Sequence, residues 1–151
     1  MYLYVSGLIP RVNAITEQYV ERFGKVKIGV YSVSIPQDKP FSLFMNSLMV
    51  ALRRKDLLPC YAWFSTSVPN TRYLILWCNG YFNADFSDIT MTARRIGKYH
   101  CLRSLGEITC YNCDASMVKY INAQLNNLIR YNYVPTSQFH QRSCGTSTSM
   151  L

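Results

Sequence analysis

The apolar positions of the chain follow two periods, and the switches between them mark the elements. Asn13 can cap a helix that runs to about Phe23, with Ile15, Tyr19 and Val20 on one face and Gly24 just past its end. The period then shortens to two. Val26, Ile28 and Val30 alternate with Lys27, Gly29 and Tyr31, which predicts a strand ending before Pro36. Asp38 caps the following segment and Pro40 suits its first turn, after which Phe41, Phe44, Met45, Leu48, Met49 and Leu52 recur as a single helical stripe.

Two apolar, aromatic-rich runs come next, Cys60 to Phe64 and Tyr73 to Cys78. The turn-forming stretch Ser65 to Asn70 lies between them, so they predict a β-hairpin closed by Asn79-Gly80. Asp85 or Ser87 caps a helix reaching about Cys101, with Ile89, Ala93 and Ile96 inward and Arg94, Arg95 and Lys98 outward. Glu107 to Tyr111 reads as a last strand. Asp114 then caps a final helix whose apolar face is Met117, Val118, Ile121, Leu125, Leu128 and Ile129, with Pro135 preventing its extension. After the leading helix the order is β, α, β, β, α, β, α, which contains a split βαβ arrangement. The expectation is an α+β domain of the ferredoxin-like type over residues 1–135, an antiparallel sheet of about four strands backed by helices, followed by a flexible polar tail at 136–151.

Composition narrows the function classes. A chain of 151 residues with 49% hydrophobic content supports a single core. Sixteen Lys and Arg against eight Asp and Glu give a net charge of +8, which favours polyanionic partners. No apolar run is long enough for a bilayer, since Phe41 to Leu52 is interrupted by Ser42, Asn46 and Ser47. No basic stretch precedes the apolar residues at the N-terminus, so the expectation is a cytoplasmic protein without a membrane partner, its six cysteines reduced and packed.

Candidate chemistry is sparse. Cys110-Tyr-Asn-Cys113 has the spacing of half a zinc knuckle, but His100 and Cys101 are adjacent and their side chains diverge, so a second half is lacking and metal binding stays open. Cys113 just before a helix start also fits a redox thiol. His140 and Cys144 lie in the polar tail, where no packed shell would hold a nucleophile and its base in register. The cations are more informative. Arg53, Arg54 and Lys55 close one helix and Arg94, Arg95 and Lys98 project from another, and with Lys25, Lys27 and Arg72 they are expected to line one face. Tyr61, Trp63, Tyr73 and Trp77 interleave with them on the hairpin, half needed for the core and half suited to stacking on unpaired bases. A solvated helix face is the structural alternative for such charges.

The segment Thr71 to Tyr99, TRYLILWCNGYFNADFSDITMTARRIGKY, resembles the central block of the filamentous-phage (inovirus) replication initiators and their cryptic-prophage relatives, which are HUH endonucleases. In that family a His-hydrophobic-His strand runs into Asn-Gly and is followed by a helix with an Ile-Gly-x-Tyr/Trp motif. Asn79-Gly80 and Ile96-Gly97-Lys98-Tyr99 match. Flanking matches at Arg22-Phe23, Tyr61 to Trp63, Tyr111-Asn112-Cys113 and Tyr131 carry the resemblance from about Arg22 to Gly145. The family histidines fall on Thr71 and Tyr73 and its acidic ligand near Ser65, none of them an ordinary metal ligand. The resemblance therefore implies a catalytically inactive HUH-like protein with no cofactor, from a phage, satellite or prophage in a bacterial cell, that binds single-stranded or origin DNA and regulates or interferes with replication. Two alternatives stand beside it. One is a protein-binding inhibitor of a host or phage factor; the other is an active rolling-circle nicking initiator that has relocated its ligands and uses Tyr131 as the nucleophile.

Overall fold

The computed structural model describes residues 2–34, 41–79, 101–135 and 143–147. Helix α1 spans Tyr2–Phe23 and so begins well before Asn13. The expected start there rested on Asn13 as a cap, yet the helix runs through it: Pro10 is exposed within the helix while Leu8, Val12, Ile15 and Tyr19 continue one buried stripe across it. Gly24 ends the helix at φ 69°, a left-handed residue whose N–H donates to Val20 O at 2.7 Å. Strand β1 (Val26–Ser34), helix α2 (Phe41–Arg54) and the hairpin strands β2 (Cys60–Ser65) and β3 (Thr71–Cys78) follow as the periodicity predicts. All six apolar residues of the α2 stripe are buried.

Strand β4 (Cys101–Cys110) is longer than the expected Glu107 to Tyr111. Helix α3 (Ala115–Asn132) has the predicted cap, with the Asp114 carboxylate accepting from Met117 N–H at 2.9 Å. A fifth strand, β5 (Cys144–Thr146), lies in the stretch expected to be a loose tail, so the sheet has five strands instead of four. The order is β4-β1-β3-β2-β5, and every neighbouring pair is antiparallel.

Alternation along the strands feeds two cores. Tyr31, Val33, Leu74, Leu76 and Leu102 pack with α2 on one face, whereas Ile28, Val30, Ala62, Phe64, Ile75 and Trp77 pack with α1 and α3 on the other. Central β3 is consequently buried on both sides from Leu74 onward. In β4 the register places Val30 opposite Gly106 and Tyr31 opposite Ser104, leaving Leu105 as a bulge. That extra residue lets Leu102 face α2 while Ile108 faces the α1/α3 core. Trp77, fully buried at the sheet centre, donates its indole N–H to Thr16 Oγ1 of α1 at 3.0 Å, and Thr16 donates in turn to Val12 O at 3.3 Å. Among the described residues no helix is long and apolar enough to cross a membrane. The helix expected between Asp85 or Ser87 and Cys101 lies outside the described residues, and Arg94, Arg95 and Lys98 lie outside them with it.

Candidate nucleic-acid interface

The hairpin brings Ser65, Thr71 and Tyr73 to one end of the sheet, because Ser65 pairs with Arg72 across the β2–β3 ladder. Thr71 and Tyr73 share the parity of Ile75 and Trp77 and so face α1 and α3. Each of the three side chains is already committed locally. Ser65 Oγ donates to Val134 O at 2.5 Å while Val134 N–H donates to Ser65 O at 3.0 Å, tying the end of α3 to the end of β2. The Thr71 hydroxyl donates to Pro69 O at 3.3 Å within the hairpin turn. Tyr73 packs against Phe64 with ring centroids 5.6 Å apart, and Phe64 packs against Tyr133 at 6.1 Å. These residues do not suit a divalent ion: a serine and a threonine donating to carbonyls, and a tyrosine in an aromatic stack, offer no carboxylate, imidazole or thiolate. Among the described residues, no group of three or more His, Cys, Asp or Glu side chains is arranged to hold a metal.

Tyr131 lies on the last turn of α3, at the same end of the sheet as these residues, but it is 85% exposed and turned to solvent. Tyr133, two residues on, is the ring that closes over Phe64.

Arg72 faces the other side. Its guanidinium lies over the Phe41 ring at 5.4 Å and the Trp63 ring at 5.1 Å, with the two rings edge to face at 5.1 Å. Half-burial in this stack lowers its pKa, yet a guanidinium remains charged. A half-buried tryptophan and a planar cation in one fixed cluster can stack on a base and meet a phosphate. Arg53 and Arg54 are exposed on the last turn of α2, followed by exposed Lys55. The helical rise from Phe41, beside Arg72, to Arg53 is about 18 Å. The cations on the α2 side therefore form two groups at opposite ends of the helix. Of the hairpin aromatics, Trp77 is fully buried, while Tyr61 and Trp63 are half-buried on the α2 face.

The sulfurs of Cys110 and Cys113 are bonded to each other, which corrects the expectation that every cysteine is a reduced thiol. The pair bridges the end of β4 to the turn ahead of α3, and in this state it offers no thiolate to zinc. Cys60 and Cys78 are buried as expected, and burial pushes the Cys78 thiol up to about 12.

A groove of about 900 Å³, not foreseen from the sequence, lies between α1 and α3, walled by Asn13, Glu17 and Glu21 from one helix and Asn122 and Asn126 from the other. The i, i+4, i+8 spacing of the first three was visible, but their partners lie more than a hundred residues away: Asn122 Nδ2 donates to Asn13 O at 3.4 Å. No protein-family model, no curated protein and no solved structure matches the chain.

Proposed function

We propose that this protein is a catalytically silent relative of the HUH endonucleases. It binds DNA, single-stranded or at a replication origin, in the cytoplasm of a bacterium carrying a phage, satellite or prophage, and there regulates or interferes with replication. The observation that carries this reading is the structural use of Ser65, Thr71 and Tyr73. The three positions where the resemblance puts metal ligands are filled by side chains that bond the hairpin turn, anchor the end of α3 and pack on Phe64. The order β4-β1-β3-β2, with α2 between β1 and β2, supports the ferredoxin-like scaffold that the resemblance implies. The excess of eight positive charges supports a polyanionic ligand.

The test is fluorescence anisotropy with labelled single-stranded and duplex DNA across a salt series. Changing Arg53, Arg54 and Lys55 together to Glu should weaken binding at low salt and flatten the salt slope by about 0.7 for each single-strand phosphate that is no longer neutralised. Arg72→Ala should weaken single-strand binding by about 1–3 kcal/mol if the Trp63 cluster stacks on bases. Unchanged affinity and slope in both variants would remove the DNA reading. Manganese-dependent nicking of origin DNA that Tyr131→Phe abolishes would replace it with the active-initiator reading.

A further inference from the structure

The last strand covers part of the cluster that the α2 side of the sheet offers to a base. The backbone of Gly145 in β5 lies so close to the Trp63 indole that an added Cβ would stand 2.5 Å from Nε1. The same ring carries the Arg72 guanidinium at 5.1 Å and meets Phe41 edge to face at 5.1 Å. A base approaching Trp63 from its Nε1 side therefore meets β5 first.

This cover is lightly held. β5 has three residues where the other four strands have six to ten, it forms one edge of the sheet, and none of residues 143–147 is buried. Polar contacts do most of the holding, and they converge on Ser147. Its N–H donates to Tyr61 O at 2.9 Å, its hydroxyl accepts from Tyr61 N–H at 2.9 Å, and its carbonyl accepts from Arg11 Nη2 at 2.9 Å. Each of these bonds exchanges for one to water when the strand lifts, so each adds little net hold. A short edge segment with little apolar burial opens before the rest of a sheet does. We propose that β5 is a displaceable strap: it closes the Trp63–Arg72 cluster in the free protein, and single-stranded DNA lifts it to stack a base there. The inference rests on the reading of that cluster as a base-stacking site and adds how access to it is controlled. Affinity for a single strand is then lowered by the small fraction of molecules in which β5 is open, so loosening the strap tightens binding without adding any contact to DNA.

The test compares a loosened and a locked strap in the full chain, with a labelled oligothymidylate followed by fluorescence anisotropy at fixed salt. Ser147→Pro removes the N–H and the hydroxyl that hold Tyr61 and leaves the charge unchanged, and should tighten binding about threefold or more. Arg72→Ala in the same protein should remove that gain. The lock is a disulfide between Ala62→Cys and Thr146→Cys. These positions face each other across the β2–β5 ladder, between the hydrogen-bonded pairs at Tyr61 and Trp63, where strands approach closely enough for the bridge. Oxidised, this protein should bind about threefold or more weakly, and dithiothreitol should restore the affinity that the parent shows in the same reductant. In the parent, the oligonucleotide should speed hydrogen exchange at the Ser65 amide, which donates to Ser143 O. If Ser147→Pro does not fold, the lock and the exchange decide. The proposal is overturned by equal affinity in the loosened and locked proteins, by a gain that survives Arg72→Ala, or by slower Ser65 exchange on adding DNA. Binding that is indifferent to β5 removes this inference alone, whereas no binding by any of these proteins removes the DNA reading with it.

Discussion

The packing of β5 can be tested at a single position, Gly145. A Cβ placed there would lie 2.5 Å from Trp63 Nε1, 2.8 Å from Cε2 and 3.1 Å from Cζ2, well inside the optimal separation of about 3.5–4.0 Å for such atoms. Trp63 has little room to retreat, since Phe41 stands edge-on at 5.1 Å and the Arg72 guanidinium lies over the ring at 5.1 Å. Gly145→Ala therefore has two ways to relax. Rotating Trp63 forfeits the aromatic pair, about 0.5–1.5 kcal/mol, and the cation–π interaction, about 0.5–1 kcal/mol at a half-exposed site. Peeling β5 away forfeits hydrogen bonds from Ser65 N–H to Ser143 O, from Ser147 N–H to Tyr61 O and from Arg11 to Ser147 O. It also returns the backbone entropy of those residues, about 1–2 kcal/mol each, so its net cost is small as well. The cheaper route sets the result, and the expected loss is about 1–2.5 kcal/mol. Urea unfolding followed by tryptophan emission measures this loss. Hydrogen exchange at the Ser65 and Ser147 amides tells rotation from detachment, because only detachment exposes them. Gly7→Ala is the internal control: it lies exposed in α1 with nothing within 4 Å of an added Cβ, so it should stabilise by about 0.5–1 kcal/mol through helix propensity. A Gly145→Ala protein with parental stability, parental emission and parental amide protection would show that β5 does not rest on Trp63.

Thr16→Val keeps the shape of the side chain but leaves the buried Trp77 indole N–H without its acceptor, and should cost about 1–3 kcal/mol in urea unfolding; a change under about 0.5 kcal/mol would mean that this bond does not hold the core. The Asp114 carboxyl is held below its ordinary value of 3.8, first by the Met117 N–H and then by the Ser116 hydroxyl, both donating to it. Because the folded-state value is the lower one, the cap's contribution is present above the unfolded value and is lost as pH falls through the folded one. Asp114→Ala should lower the melting temperature at neutral pH and flatten the acid limb below about pH 4, and an acid limb identical to the parent's would refute the cap's role.

The strands and helices that were legible in the sequence are those whose burial is one-sided or stripe-like. The α2 stripe from Phe41 to Leu52 and the hairpin runs on either side of Ser65 to Asn70 write their period directly into residue type. The failures have equally local causes. Asn13 hides the first part of α1, because a residue suited to capping looks like a helix start until the buried residues on both sides of it are seen to align. The first half of β4 is exposed from Arg103 to Glu107 and carries a bulge at Leu105, so its alternation breaks where the strand needs to be recognised. β5 is short, small and polar, and nothing in Cys144-Gly145-Thr146 announces a strand; it exists because Gly145 lets the backbone approach Trp63.

The candidate sites divide along the same line, between what one segment encodes and what two distant segments make together. Residue identity alone says that Thr71 and Tyr73 are poor ligands, but it does not say what they do instead. The structure supplies that through the end of α3, where Val134 exchanges hydrogen bonds with Ser65 and Tyr133 covers Phe64 beside Tyr73. The consequence reaches beyond missing ligands. A divalent ion seated between positions 71 and 73 would have to share this corner with the Phe64–Tyr73–Tyr133 stack, and a nucleophile at Tyr131 would have to turn inward past Tyr133 from a position 85% exposed. Histidines returned to 71 and 73 would thus break an aromatic pair of the core without opening a path for a scissile phosphate. Under the proposed ancestry, silencing of the old centre and closure of the sheet's end are one structural change.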